Sequence, residues 1–172
     1  PYMKNDIKGT MQAMDGFPVT IRLLDPPLHE FLPHSQLGRQ EISRALGIAE
    51  DEVRKRVDAL QENNPMMGHR GVRLSVTYPE MTEYQARAIF ESAAELIRDG
   101  KKVIPEIMVP ITCDVRELRH TKEIVERVYA EVVRRFDLKK LKYKLGTMIE
   151  IPRAALLADQ MAADAEFFSF GT

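Results

Sequence analysis

The sequence predicts an α/β fold with a parallel sheet, and two observations support this prediction. Short apolar runs alternate with amphipathic helical segments along the chain, which is the pattern of βα units. The apolar runs are rich in Val, Ile, Leu, Met and Phe, as expected for strands that are covered on both faces. A chain of 172 residues is also long enough to bury a core.

Five apolar runs are predicted to be strands, and they cover residues 19–24, 70–76, 103–109, 144–151 and 167–171. The amphipathic segments predict helices at residues 39–46, 49–62, 80–98, 115–136 and 152–163. Pro79 and Pro152 suit a first helical turn, where the N–H that proline lacks would have no intrahelical partner. Between the first two strands, residues 25–62 form a proline-containing excursion.

Five parallel strands fit two architectures. A (β/α)8 barrel needs eight strands and about 250 residues, so five strands would form only part of one. An open, doubly wound sheet of five strands is complete at this length. Composition alone favours the open sheet, so the choice depends on the motifs.

Composition excludes several classes of partner. The formal net charge is −1 with 30% charged residues, so we expect no broad basic surface for nucleic acid. No apolar run reaches the roughly 18 to 20 residues that span a membrane, and the first residues lack the apolar segment of a signal peptide. The single cysteine, Cys113, cannot form an internal disulfide. We therefore expect a cytoplasmic protein, with a plastid or another organelle as the alternative.

Two charged residues stand out in the apolar runs. Arg22 lies within the first predicted strand, where an unpaired guanidinium would be costly to bury. It either forms a salt bridge with Asp25 or Glu30 or binds an oxyanion, which its planar fork of donors suits. Glu150 lies where the fourth predicted strand gives way to a helix. It is either an acid stabilised by the helix dipole or a ligand for magnesium, which takes one or two carboxylates.

Five ordered motifs are the most specific feature of the chain. They are VTIRLLDPPLHEFLP at residues 19–33, NPMMGHRGVRL at 64–74, PEIMVP at 105–110, GTMIEIPR at 146–153 and FFSFGT at 167–172. Together they resemble the pyruvate phosphate dikinase family, in its C-terminal phosphoenolpyruvate/pyruvate-binding domain. The resemblance implies that residues 1–172 are the N-terminal portion of this domain, with a partial (β/α)8 TIM barrel of about the first five βα units and parallel strands.

The resemblance also implies roles for the motif residues. Those with implied substrate contacts are Arg22, Arg70, Glu150, Gly171 and Thr172. Glu150 would also bind the cofactor Mg2+. Residues 171–172 match the start of the family's Gly-Thr-Asn-Asp-Leu motif, whose aspartate would be the second metal ligand.

Arg70 and Arg73 flank Gly71 in the second predicted strand. Because an odd spacing along a strand places side chains on opposite faces, we expect only one of these arginines to face a ligand. The resemblance assigns substrate binding to Arg70. Arg73 would then contact the substrate-binding residues and not the substrate itself. His69 is a further candidate for that supporting role, although packing or surface exposure is its more common use.

The resemblance implies a parent enzyme that converts ATP, phosphate and pyruvate to AMP, pyrophosphate and phosphoenolpyruvate. A phosphohistidine on a swivelling domain of the same parent chain would deliver the phosphoryl group, and the parent would be a homodimer. That histidine and the family's proton-donating cysteine match no residue here, and Cys113 is expected to be structural. We therefore expect the isolated 172-residue chain to be inactive. A phosphoenolpyruvate mutase or lyase is the remaining alternative, and it does not explain RLLDPPLHEFLP.

Overall fold

The computed structural model describes residues 2–64 and 67–171, and the chain divides into two compact units. The first unit combines Pro1–Asp25 with Gly71–Thr172, and the second is Pro26–Arg70. The described residues form the strands β1 (Pro18–Arg22), β2 (Ile104–Val109), β3 (Lys144–Ile149) and β4 (Phe168–Phe170). They also form the helices α1 (Tyr2–Ala13), α2 (Gln36–Leu46), α3 (Glu50–Leu60), α4 (Val72–Thr77), α5 (Pro79–Arg98), α6 (Val115–Arg135), α7 (Pro152–Leu156) and α8 (Ala158–Met161).

The first unit contains a parallel sheet whose spatial order is β1-β2-β3-β4. Strands that follow one another along the chain are also neighbours in the sheet, without a reversal of direction. A doubly wound sheet would reverse its order at a switch point, whereas a barrel adds its strands in sequence. The prediction of a partial TIM barrel is therefore confirmed, and the open sheet is excluded.

Helices α5 and α6 cover one face of this sheet. Side chains of both helices are fully buried in the same apolar core as Ile107 of β2, among them Phe90 of α5 and Val125 and Val128 of α6. Burial of one such side chain contributes about 1.5–3 kcal/mol. Buried and half-buried positions alternate along β2, so its side chains face the helices and the opposite side of the sheet in turn.

The opposite face of the sheet carries a polar row across three strands. Thr20, Glu106 and Lys144 lie in register on β1, β2 and β3. The Thr20 hydroxyl donates a hydrogen bond to Glu106 Oε2 at 2.8 Å, and Lys144 Nζ donates one to Glu106 Oε1 at 3.1 Å. Both carboxylate oxygens of Glu106 are thus satisfied within the sheet, as a half-buried charge requires.

The predicted strand at residues 70–76 is wrong, because this segment forms helix α4. Gly71 has φ +58° and ψ −134°, a conformation that redirects the chain, and the Val72 N–H then donates to Pro110 O at 3.2 Å. The alternation of apolar and polar residues over so few positions does not distinguish a strand from a helical turn. The described sheet therefore has four strands, and the opposite-face argument for Arg70 and Arg73, which assumed a strand, fails.

The other predicted helices agree more closely with the structure. Helices α5 and α6 end within a residue or so of the predicted bounds, and Pro79 and Pro152 each lie in a first helical turn. The predicted helix at residues 152–163 is divided into α7 and α8. Helix α1 was not predicted. None of the helices among residues 2–64 and 67–171 is long and apolar enough to cross a membrane.

The second unit contains a short 3-10 helix (Leu28–Phe31) followed by α2 and α3. Helix α2 begins three residues before its predicted start because Ser35 caps it. The Ser35 hydroxyl accepts a hydrogen bond from the Gly38 N–H at 3.0 Å. The helix ends at Gly47, which adopts the left-handed conformation at φ +67°.

Helix α1 is held to α5 by ion pairs. Lys4 Nζ lies 2.8 Å from Glu91 and 2.7 Å from Glu95, and Lys8 Nζ lies 2.8 Å from Glu95. Hydrogen bonds from Lys4 and Lys8 lower the pKa of Glu95 below its ordinary value. The charged form of Glu95 is therefore favoured by folding.

The substitution Gly146→Ala is expected to destabilise the fold by about 2–3 kcal/mol. A Cβ at Gly146 would lie 2.4 Å from Phe167 O and 2.6 Å from two carbons of the Phe167 ring. The matched control is Gly9→Ala in α1, where a Cβ meets nothing within 4 Å. The control should stabilise the protein by about 0.5–1 kcal/mol. Equal stabilities of the two variants in urea unfolding would contradict the packing described here.

The substitution Lys8→Met is expected to lower stability at pH 7 by at most about 1 kcal/mol. Because the pKa of Glu95 is lower in the folded state, its contribution is present above the unfolded pKa and is lost as pH falls through the folded pKa. The difference in the free energy of unfolding between the wild type and Lys8→Met should therefore disappear in acid. Denaturant titrations at pH 7 and pH 3 measure it. Lys142→Met serves as control, since Lys142 forms no ion pair with a described residue, and its effect should not depend on pH.

Candidate functional site

Three predicted site residues lie at the carboxyl ends of strands in the first unit. Arg22 is the last residue of β1, Glu150 follows the end of β3, and Gly171 follows the end of β4. Because the strands are parallel, these three positions belong to the same edge of the sheet. In barrels of this type, this is the edge at which ligands bind.

Arg22 forms a salt bridge, and its guanidinium remains partly exposed to solvent. Its Nη1 lies 3.3 Å from Asp25 Oδ2 and 3.9 Å from the sulfur of Met148. The Arg22 side chain is 46% exposed, whereas that of Asp25 is 9% exposed. The structure thus contains the pair with Asp25 that the sequence offered as one alternative. Arg22 has five N–H donors, and the Asp25 contact uses a single nitrogen, so the pair does not exclude an oxyanion.

Glu150 is held by a backbone group rather than by a side chain. Its Oε1 accepts a hydrogen bond from the Ile111 N–H at 2.7 Å. Gly171 lies beside the same side chain, since a Cβ at Gly171 would be 2.8 Å from Glu150 Cβ and 3.0 Å from Oε2. The absence of a side chain at Gly171 therefore lets β4 end close to the carboxylate.

Met148 lies between Arg22 and Gly171. It contacts Arg22 through its sulfur, and its Cε would lie 3.3 Å from a Cβ at Gly171. Sequence reasoning did not identify it as a site residue. Its signal was available, because Met148 and Glu150 are two positions apart at the end of a strand and such residues share one face.

Ile111 is the second residue that sequence reasoning missed. It has φ +60°, which is a genuine outlier for a β-branched residue. The left-handed conformation costs a non-glycine residue about 1–2 kcal/mol. No sequence pattern indicates this conformation, since isoleucine is among the residues least suited to it.

Several charged groups after the end of β2 pair with one another. Arg153 Nη2 lies 3.0 Å from Asp114 Oδ2, so Arg153 pairs with Asp114. Asp114 caps α6, and the hydrogen bond from Arg116 is the main reason that the pKa of Asp114 lies far below its ordinary value. Glu117 completes the cap by accepting hydrogen bonds from the N–H groups of Cys113 and Asp114 at 2.9 and 3.0 Å.

The other predicted site residues belong to other segments of the chain. Arg73 is in α4, while His69 and Arg70 belong to the second unit. There, the His69 N–H donates to Glu62 Oε1 at 2.8 Å. Thr172 lies outside the described residues. The structure therefore brings Arg22, Glu150 and Gly171 to one edge of the sheet, with Met148 beside Arg22 and Gly171 and with Gly171 beside Glu150.

Glu150 is the residue at this edge of the sheet that the sequence predicts to bind a metal ion. Within residues 2–64 and 67–171, no three His, Cys, Asp or Glu side chains are close enough together to hold a metal ion. Magnesium is commonly held by one or two carboxylates, with substrate oxygens and water completing its shell. Glu150 Oε2 accepts no hydrogen bond from the described residues, and it borders the gap that the missing Cβ of Gly171 leaves. A single carboxylate with one uncommitted oxygen fits such an ion.

The fold and this edge define the class of protein, a parallel α/β barrel domain with charged groups at the carboxyl ends of its strands. A family model described as "PEP-utilising enzyme, PEP-binding domain" matches residues 3–172. The chain belongs to this family, where PEP denotes phosphoenolpyruvate.

Curated relatives are similar over the whole of this chain. It is 54% identical over 176 residues to "Pyruvate, phosphate dikinase 1, chloroplastic" of Arabidopsis thaliana and 49% identical over 173 residues to "Pyruvate, phosphate dikinase" of Clostridium symbiosum. It is 51% identical over 174 residues to "Pyruvate, phosphate dikinase 2" of Zea mays. These alignments cover 100% of this chain and 18–20% of the relatives, so the chain spans about a fifth of their length. The resemblance inferred from the five motifs is confirmed.

The Cys113 thiol is expected to react slowly with iodoacetamide at neutral pH. Burial raises its pKa, and the charge of Glu117, whose Oε1 lies 3.7 Å from the Cys113 sulfur, raises it further. Arg73 and Arg153 act in the opposite direction. Glu117→Gln should therefore lower the pKa of Cys113, and Arg153→Gln should raise it.

The pH dependence of alkylation measures these shifts, and the chain contains one cysteine. Unfolding in denaturant should return all three proteins to the pKa of a free thiol. Identical midpoints for the folded wild type and Glu117→Gln would rule out the Coulombic contribution of Glu117.

Proposed function

We propose that this chain supplies the phosphoenolpyruvate- and pyruvate-binding part of a pyruvate, phosphate dikinase. Such an enzyme converts ATP, phosphate and pyruvate to AMP, pyrophosphate and phosphoenolpyruvate. The observation that carries the proposal is the convergence of an exposed guanidinium and a carboxylate at the carboxyl edge of the sheet. A substrate with phosphate and carboxylate groups requires both a fork of donors and a site for a cation.

Arg22 is proposed to bind the oxyanion groups of the substrate. Its pair with the largely buried Asp25 orients the guanidinium, and its 46% exposure leaves donors available to a ligand. Arg70 is proposed as a second oxyanion ligand on the strength of its place in the GHRG motif. Gly171 and Thr172 are proposed to line the site with their backbone, and Arg73 and His69 to support it.

Glu150 is proposed to hold Mg2+, for which its uncommitted Oε2 is suited. When bound, magnesium supplies positive charge that stabilises developing negative charge on substrate oxygens. The contribution of the protein is to present a fixed oxygen ligand at the same edge of the sheet as Arg22. The Ile111 N–H fixes one end of the carboxylate, so the remaining oxygen is oriented before a ligand arrives.

The phosphoryl group is proposed to pass from a histidine nitrogen on a swivelling domain of the longer chain to the enolate oxygen of pyruvate. An N–P bond breaks as an O–P bond forms, and Arg22 and Arg70 neutralise charge on the phosphoryl oxygens. Closure of this domain over the edge of the sheet would exclude water from the transfer. Removal of the proton from carbon three of pyruvate is proposed to depend on the family's cysteine, which matches no residue of this sequence.

The proposed assembly is a homodimer in the cytoplasm. The names of the plant relatives state that those proteins are chloroplastic, so a plastid is the alternative compartment. Neither nucleic acid nor a membrane is proposed as a partner.

Glu150→Gln in the full-length protein is expected to reduce phosphoenolpyruvate formation at least about 100-fold. The substitution keeps the size of the side chain but removes the charge that would hold the cation. Phosphorylation of the histidine from ATP and phosphate, which does not involve pyruvate, should persist. Glu123→Gln on the exposed side of α6 is the matched control and should leave both steps unchanged. Near-normal phosphoenolpyruvate formation with unaltered magnesium dependence in Glu150→Gln would refute the role.

A further inference from the structure

The backbone N–H of Ile111 is directed at the candidate metal ligand. Ile111 directly follows Pro110 at the end of β2, and its φ of +60° turns the chain out of the strand direction. Before this change of direction, the Ile111 N–H donates a hydrogen bond of 2.7 Å to Glu150 Oε1, just after the end of the neighbouring strand β3. Ile111 is only 8% exposed, so this bond is shielded from solvent on the side of β2.

The residues around Ile111 are held from several directions. The Thr147 hydroxyl donates a hydrogen bond to Val109 O at 2.9 Å. Thr147 Oγ1 also lies 2.8 Å from Thr112 Oγ1. Both threonines are completely buried. Thr147 of β3 thereby ties down the residues on either side of the Pro110–Ile111 pair. The turn is therefore anchored to the same strand that leads to Glu150.

Gly71 closes the turn from the other side. A Cβ at Gly71 would lie 2.7 Å from Ile111 Cγ1 and 2.9 Å from Ile111 Cβ, so only glycine fits against this isoleucine. Pro110 O accepts a hydrogen bond from the Val72 N–H at 3.2 Å. Contacts from the start of α4 and from β3 thus constrain four successive residues, 109–112. Strained conformations persist where the surroundings determine them in this way, and they concentrate at functional sites.

The hydrogen bond divides the two oxygens of Glu150 between different tasks. Oε1 is engaged by Ile111, whereas Oε2 lies beside Gly171 and accepts no hydrogen bond from the described residues. A carboxylate fixed in this way presents one oxygen, in one orientation, to a ligand. Hydrogen bonds that orient a metal ligand commonly change metal affinity by 10–100-fold.

We propose that Ile111, which has a strained backbone conformation, is a positioning residue for Glu150. Its backbone N–H holds Oε1, so that Glu150 presents only Oε2 to the divalent cation, already in the orientation for binding. This inference rests on the proposed role of Glu150 as the magnesium ligand. It adds a residue that does not touch the substrate and whose side chain is not used. Its contribution depends on backbone direction, so any residue that adopts a positive φ at position 111 should provide it.

The direct test removes the N–H and keeps the side chain. Replacement of Ile111 by its α-hydroxy acid converts the amide to an ester, which cannot donate the hydrogen bond. The matched control is the same replacement at Leu145, whose N–H donates to the Glu166 carboxylate at 2.9 Å in the same sheet. Both esters lose one bond from a backbone N–H to a carboxylate, but only the first affects Glu150.

Binding of Mn2+, as a probe for Mg2+, is measured by electron paramagnetic resonance in the full-length protein with phosphoenolpyruvate and without nucleotide. The Ile111 ester should weaken this binding by about 10-fold or more, and the Leu145 ester should leave it unchanged. Ile111→Gly keeps the N–H and accepts a positive φ, so its Mn2+ affinity should remain near that of the wild type even if its stability falls.

Amide hydrogen exchange provides a readout that does not depend on the metal. In metal-free protein, Glu150→Ala should reduce the protection of the Ile111 amide, and Glu166→Ala should reduce that of the Leu145 amide instead. Unchanged protection at Ile111 in Glu150→Ala would overturn the inference.

Mn2+ binding by Glu150→Gln and by the Ile111 ester distinguishes failure of the positioning role of Ile111 from failure of the proposed role of Glu150 as metal ligand. Loss of binding in Glu150→Gln with full binding in the Ile111 ester would overturn the positioning role and leave the metal ligand in place. Full binding in Glu150→Gln would overturn the proposed metal ligand itself, and the positioning role with it.

Discussion

Parallel pairing of β2 with strands on both sides is the constraint on which the candidate site depends. Arg22 of β1 is in register with Met108, and Val109 at the end of β2 is in register with Thr147 of β3. One face of β2 is buried under α5 and α6, and a shift of one residue would turn that face outward. The register is therefore fixed by the apolar core. Because the register is fixed, Arg22 and Glu150 reach the same edge of the sheet.

Glycines allow the chain to approach this edge closely. Gly146 lies against Phe167, Gly71 against Ile111, and Gly171 against Glu150. In each case a Cβ would come within 3.0 Å of another residue, a distance that real Cβ atoms do not adopt. The three approaches bring neighbouring strands and the start of α4 together around Glu150 and Met148. These glycines are thus a requirement of packing, and a glycine in a sequence motif does not reveal this by itself.

The parts of the fold that could be predicted from the sequence are those with a long periodic signal. Helices α5 and α6 each extend over about twenty residues, and their apolar spacing identified them with nearly correct bounds. Residues 70–76 are too few to distinguish the period of a strand from that of a helix. Tertiary contacts at Gly71 and Val72 favour the helix that forms there. The choice between a barrel and an open sheet also lay beyond periodicity, because it depends on the order of strands in space.

The candidate site was predictable where its signal is chemical and unpredictable where it is conformational. Arg22 and Glu150 stood out because a charge within or at the end of an apolar run is unusual, and the family resemblance then assigned them to the site. Ile111 carried no such signal, since what matters there is a φ of +60° imposed by Gly71, Thr112 and Thr147. The type of a side chain can be read from the sequence, and it determines the chemistry of the group. The direction of the backbone depends instead on contacts between residues that are distant in the sequence.

Arg22 and Glu150 are therefore oriented by different means, and the difference has a chemical consequence. Arg22 is held by the side chain of Asp25 at 3.3 Å, and a half-exposed pair of this kind contributes at most about 1 kcal/mol and can adjust. Glu150 is held by a backbone N–H in a turn that has little freedom to move. An incoming ligand would meet a proposed cation-binding oxygen that is already in place and a guanidinium that can rotate toward an oxyanion. Such a division suits the proposed phosphoryl transfer, in which the phosphoryl group moves while the proposed metal ligand remains fixed.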